Sequence, residues 1–284
     1  EISRSDWSSD VCSSDLLALS DLILAPATPS NTARVGGVIM PITTSLAKAF
    51  GSEPQDGPRK IGSFLMQSIY QVNTITSAMF QTSMAGNTLV AALALQSFGI
   101  GITWGDWAMA AIVPGIIALI SMPYFIYKVY PPEIKDAREA QQMIREELKG
   151  LGKISFQEWV MLGVFILALV LWATSQFTKL DATTVAFLGI SILLATGVLI
   201  WDDVKSEKGA WDTLVWMGTL MGFAGFLSKL GFIKWATLQV GGYIPEGSWV
   251  IAFVVAVLVN TYAHYVFASL TAHISAMFVA FSAI

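Results

Sequence analysis

The sequence predicts an all-α polytopic membrane protein, built as an inverted-topology repeat with two re-entrant helical hairpins. Three observations predict it. The chain of 284 residues is 55% apolar and only 13% charged, about half the charged fraction of an ordinary soluble domain. Its apolar residues gather into runs close to the ~20 residues that match the hydrocarbon thickness of a bilayer. Two polar stretches, "TPSNTARVGG" and "FASLTAHISA", interrupt such runs and share one pattern, Ser-x-Thr-Ala-cation.

Taken in order, residues 1–15 are set aside. "SRSDWSSDVCSSD" has six Ser and three Asp with no apolar period, and it looks like translated sequencing-adapter DNA fused to a shortened reading frame. It has no apolar core of a secretory signal. Residues 1–15 hold three of the four net negative charges and Cys12, the sole cysteine, so the rest is near neutral and disulfide, thiolate and Cys–metal chemistry are unsupported. Residues 16–50 read as an apolar segment with a polar interruption, followed by the hydrophilic loop "GSEPQDGPRK" at 51–60. Spans follow at 61–98, 104–128, 156–176, 182–201 and 212–231, and a last apolar segment runs from 249 to Ile284, where it stops in mid-run. Both ends are expected to be breaks in a longer protein. Trp104, Trp107, Trp159, Trp172, Trp201, Trp211 and Trp249 fall near span ends, as an interfacial belt requires.

The stretch at 128–153 carries six Lys or Arg and five acids. Residues 129–154 are therefore expected to form a cytoplasmic connecting helix between part of repeat 1 (16–128) and part of repeat 2 (155–284). Counting spans from it puts Arg59 and Lys60 in the cytoplasm, "WDDVKSEKGAWD" likewise, and "GGYIPEGS" outside. No basic patch with interleaved aromatics points to nucleic acid.

Superposing the two polar stretches aligns Ser30 with Ser269, Thr32 with Thr271, Ala33 with Ala272 and Arg34 with His273. Five predicted spans lie between them, so hairpins with these tips open to opposite sides, which is the geometry of an inverted repeat with a midplane binding site. Irregular backbone at that depth is tolerated only inside protein or along a wet cavity. Past each tip the chain turns helical, and each helix start acts as roughly half a positive charge. Ser, Asn and Thr add neutral donors, so the pocket suits a carboxylate. The plainer alternative is that Ser30 or Asn31 caps a helix while Ser269 and Thr271 bond back to their own.

"LALSDLILAPATPSNTARVGGVIMPI" and "HYVFASLTAHISAMF" resemble the divalent anion:sodium symporter family, and most closely its exchanger branch of 2-oxoglutarate/malate translocators and citrate/succinate or tartrate/succinate antiporters. The resemblance covers everything after about Leu16. It implies a transporter rather than an enzyme, in the bacterial inner membrane, multi-pass and homodimeric, with small carboxylates as substrates and lipid around it. It also implies hairpin tips carrying Ser-Asn-Thr, each beside a broken helix. Ser30, Asn31 and Thr32 match the first tip. Ser269 and Thr271 match the second, where Leu270 replaces the usual Asn. "TSMAGN" falls where the first broken helix lies, making Gly86 and Asn87 further candidates.

In sodium-coupled members the resemblance implies that tip Ser and Asn help hold the ion, and Leu270 removes one such oxygen. Arg34 and His273 are expected to stand in for sodium as charge-compensating cations. A charge pair at about 4 Å is worth roughly 4 kcal/mol at an effective dielectric near 20, whereas reorienting with buried cations unpaired costs several kcal/mol per ion. Sodium-independent antiport is therefore favoured over sodium-coupled dicarboxylate symport, and no cofactor or metal is expected. An unperturbed His273 would titrate near neutrality, so exchange would rise as pH falls. Asp21 is an intramembrane acid and a site candidate on that ground, with structural pairing as its alternative. His264 and His273, nine residues apart, should face opposite sides of one helix and so not share a metal. A membrane-embedded enzyme would need a nucleophile with its base, or paired acids; Asp21, Asp106, His264 and His273 form no such pattern.

Overall fold

The computed structural model describes residues 7–133, 152–231, 235, 249–267 and 270–282. Most of the expected connecting helix, and Ser269, lie outside the described residues. All regular structure among the described residues is helical, and the chain divides into two compact units: residues 1–84 with 104–199, and residues 85–103 with 200–284.

The first unit begins with α1 (Trp7–Leu24), which continues across the expected boundary at residue 15. It ends at a 3-10 turn, Ala25–Ala27, carrying Pro26 near its start. Thr28, which precedes Pro29, is extended at φ −115° and ψ 97°, as the proline ring demands of its predecessor. Ser30 is extended as well and caps α2 (Asn31–Arg34). The helical run then widens into a π turn, Val35–Ile39, and resumes as α3 (Met40–Ala49). Pro41 explains the widening: it has no N–H to return to the carbonyl four residues back, and the Met40 N–H instead reaches the Val35 carbonyl, five back. The 16–50 segment is thus a helix–turn–helix pair. Its apolar seam joins Leu17 of α1 and Ile39 to Phe64, Leu65 and Ile69 of the next helix, with Ile126 and Tyr127.

Ser52 closes the loop at 51–60, accepting from the Gly62 N–H at 2.9 Å and donating to the Gly57 carbonyl at 2.9 Å. The 61–98 segment is two helices rather than one. α4 (Gly62–Met79) stops at an extended Phe80, a 3-10 turn follows at Gln81–Ser83, and α5 (Ala85–Phe98) leads into the second unit. α6 (Trp104–Val129) returns along α4. At Gly115 a Cβ would stand 2.6 Å from Met79 Cγ.

A capping box of Ser155 and Glu158 starts α7 (Phe156–Ala173). A short turn, α8 (Ser175–Thr178), stops at left-handed Lys179 (φ 57°). Asp181 then caps α9 (Ala182–Ala195), accepting from the Thr183 and Thr184 N–H groups at 2.9 and 3.0 Å. Hydrogen bonding from the Thr184 hydroxyl and N–H holds the Asp181 carboxyl below its ordinary range. A depressed folded pKa contributes stability above the unfolded value, lost as pH falls through the folded one. Asp181→Ala should cost about 1 kcal/mol, and thermal unfolding near neutral pH should show that loss while the variant and parent converge as the pH falls below the ordinary carboxylate range.

In the second unit, α10 (Trp201–Ser206) and α11 (Lys208–Lys229) are followed by α12 (Trp249–Ala263) and α13 (Leu270–Ser282). α5 packs against α11 and α13, with Leu89, Leu93 and Val279 at the centre of that core. Among the described residues, α6 and α7 are the two helices long and apolar enough to cross a membrane, while Ala182–Ala195 and two segments of α12 and α13 are apolar but shorter. Ile117 and Ile120 on α6 and Val170 on α7 are exposed, as expected of faces that lipid or another chain covers.

Candidate functional site

The first hairpin is built around one buried ion pair. Arg34, the last residue of α2, points inward at the last turn of α1, and its Nε donates to Asp21 Oδ1 at 2.9 Å with both side chains fully buried. The guanidinium has five N–H donors, and six oxygens surround it. Nη1 reaches the carbonyls of Thr28 and Ser83, each at 3.2 Å. Nη2 reaches Asn73 Oδ1 at 2.9 Å, Thr76 Oγ1 at 3.2 Å and Ser77 Oγ at 3.0 Å. Thr76 in turn donates to Asp21 Oδ2. Burying two charges costs several kcal/mol per ion, recovered only when geometry and hydrogen bonds are complete; here the guanidinium is ringed by acceptors. Asn73, Thr76 and Ser77 are spaced i, i+3 and i+4 on α4, so one helix face supplies three of the six.

Arg34 was expected as a charge-compensating cation; its guanidinium is paired with Asp21, so the cost estimated for an unpaired Arg34 does not apply to this arrangement. Asp21 has the structural pairing that was the alternative to a direct binding role.

The tip itself is at the surface of the unit. Ser30 Oγ accepts from the Ala33 N–H at 3.2 Å, and Asn31 Oδ1 accepts from the Thr32 N–H at 2.9 Å. Ser30 and Thr32 are exposed and Asn31 is half-buried. The capping alternative therefore holds for Ser30, and a capping hydroxyl and a side-chain amide whose oxygen accepts each still have hydrogens to donate.

The broken stretch after α4 is tied to the tip. Besides the Ser83 carbonyl on Arg34, Thr82 Oγ1 donates to the Pro26 carbonyl at 2.5 Å and accepts from Trp104 Nε1 at 3.0 Å. Ser83 Oγ folds back on the carbonyls of Ser77 and Phe80, each at 2.7 Å. Gly86 and Asn87 are buried in the first turn of α5, in the second unit.

At the second stretch, Thr271 is half-buried in the first turn of α13, and its carbonyl accepts from Ser275 Oγ at 2.8 Å. His273 is 4% exposed. Its ring centroid lies 5.1 Å from that of His264 and 5.1 Å from that of Phe267. The two histidines were expected on opposite sides of one helix. They meet because the chain leaves α geometry after Ala263, through a 3-10 turn at His264–Val266 and an extended Phe267, so the helical count does not carry across.

Asn73, Thr76 and Ser77 belong to this hub and were not singled out by sequence; their signal was the polar face of α4 inside an apolar stretch. Thr82 and Ser83 belong to it too, and lie in the "TSMAGN" stretch from which only Gly86 and Asn87 were named.

The profile of the family described as Sodium:sulfate symporter transmembrane region matches residues 14–284. Among curated relatives, the chain is 50% identical over 269 residues to YflS of Bacillus subtilis (strain 168), named a candidate malate transporter, covering 94% of this chain and 56% of that protein. It is 44% identical over 269 residues to the chloroplastic dicarboxylate transporter 1 of Spinacia oleracea, covering 93% of this chain and 47% of that protein. It is 43% identical over 263 residues to the inner membrane protein YbhI of Escherichia coli (strain K12), covering 92% and 55% respectively. The chain spans about half the length of the curated relatives it matches.

Proposed function

We infer, from the premise that this chain belongs to the sodium:sulfate symporter transmembrane family, that it forms part of a secondary transporter exchanging di- or tricarboxylates across a bacterial inner membrane by alternating access. The substrate class is that of malate, succinate, 2-oxoglutarate, citrate and tartrate; relatives named for malate and dicarboxylate transport support it. Ser30, Asn31 and Thr32 offer hydroxyl and amide donors to one carboxylate at a re-entrant tip. Ser269 and Thr271 do the same from an inverted second repeat, with the site at the bilayer midplane. Gly86 and Asn87 contribute at the broken helix, and His273 supplies cationic character to the second half. Two copies form the working dimer, with lipid against the exposed apolar faces.

One observation carries sodium-independent exchange: the oxygen-rich pocket behind the tip is filled by the Arg34 guanidinium, bonded to Asp21, Asn73, Thr76, Ser77 and two carbonyls. Such hard-oxygen surroundings would otherwise suit a small metal cation. A covalently held cation cannot be released on the far side, so no ion gradient is coupled there. Uphill movement of one carboxylate then draws on the gradient of another. Sodium symport is the second reading, favoured by the family's description. Counterflow in proteoliposomes carrying the full-length protein, loaded with succinate and assayed with and without sodium, separates them. Exchange predicts saturable counterflow unchanged by sodium; strict sodium dependence with net uptake would overturn it.

A further inference from the structure

A second, uncharged tether reaches the hairpin tip on a route separate from Arg34. The Pro26 carbonyl is buried in the turn that carries the tip, and it accepts from Thr82 Oγ1 at 2.5 Å. Thr82 Oγ1 accepts from Trp104 Nε1 at 3.0 Å. Thr82 and Trp104 are each 8% exposed. The Trp104 ring is clamped between two others: Phe80 stacks on it at 5.6 Å and 16°, and Trp172 of α7 at 6.3 Å and 18°. Trp172 is itself fixed, donating from Nε1 to the Ala182 carbonyl at 3.2 Å.

A hydroxyl has one proton to give, and here Pro26 takes it while the indole, which can only donate, fills a lone pair. The direction of both bonds is therefore forced, and neither partner can be dropped without orphaning a buried polar group. The aromatic stack leaves the indole N–H little freedom to swing. The Pro26 carbonyl is thus set against α6 and α7, four residues before Ser30.

We propose that Thr82 and Trp104 are positioning residues for the carboxylate-binding tip, holding Ser30, Asn31 and Thr32 in register with the aromatic stack of Phe80, Trp104 and Trp172. This rests on the carboxylate reading of the tip. Neither residue touches the guest; both act through the Pro26 carbonyl.

The test is counterflow of labelled succinate and malate by the full-length protein in proteoliposomes, with KM and maximal rate measured separately. Thr82→Val and Trp104→Phe should each raise KM about tenfold, the penalty of one orphaned buried group, with a smaller change in maximal rate. Thr82→Ser keeps the hydroxyl and should restore KM to within about twofold. The Thr82→Val/Trp104→Phe double variant should be little worse than either single one, since both break one relay. The relay is overturned if Thr82→Ser is as impaired as Thr82→Val, if the two effects multiply, or if only maximal rate falls. Absence of any succinate or malate counterflow by monodisperse parent protein overturns the carboxylate reading and the relay with it, whereas normal parent counterflow with unchanged variant KM sinks the relay alone.

Discussion

Asp21→Asn should destabilise the first unit by about 3–5 kcal/mol, because it leaves a guanidinium with no counter-charge in a fully buried position. Neighbours cannot make up the loss. Asn73, Thr76 and Ser77 offer dipoles rather than charge, and the amide of Asn can return only one acceptor oxygen to the two groups that Asp21 serves, Arg34 Nε and the Thr76 hydroxyl. In detergent, the unfolding midpoint should fall by roughly 10 °C for a unit of this size. Asp21→Glu keeps the charge and should fall less. A midpoint for Asp21→Asn within a degree or two of the parent would mean that the pair contributes nothing to the fold.

Arg34→Ala should remove counterflow by two orders of magnitude or more, on the same 3–5 kcal/mol scale. The variant leaves six oxygens facing a hole, Asp21 among them, and the Thr28 and Ser83 carbonyls lose the donor that joins the tip to the broken stretch. Arg34→Lys should rescue little: three donors on a flexible stem cannot span acceptors arranged around a planar fork. Free guanidinium ion can. Added at millimolar concentration to Arg34→Ala proteoliposomes, it should recover a measurable fraction of succinate counterflow, while sodium at the same concentration should recover less. Full activity of Arg34→Ala without any additive would remove the cage from the mechanism.

The hairpin was readable because its breakers act locally. Pro26, Pro29, Ser30 and Asn31 stop one helix and start another whatever the rest of the chain does. Asp21 and Arg34 could each be flagged as charges in an apolar run, but their pairing could not be read from spacing. They sit 13 residues apart across a reversal, where helical period gives no facing. Helix α4 shows the opposite case: Asn73, Thr76 and Ser77 lie on one face at helical spacing, and a polar stripe in an apolar stretch was there to be read. The histidines show how a single period misleads. Nine residues mean opposite faces only if the helix is continuous, and here it is not. The break was placed at 82–87 by resemblance, since "TSMAGN" holds no proline to announce it, and the structure puts the interruption at 80–84.

The wide turn at Val35–Ile39 settles which way both ends of the second hairpin arm can look. Arg34 and Ile39 are five residues apart and both fully buried. At 100° per residue, ordinary helical winding would set them roughly 140° apart and turn one of them out of the unit. The five-residue closure instead lets a single rod turn its charge and its grease to the same interior.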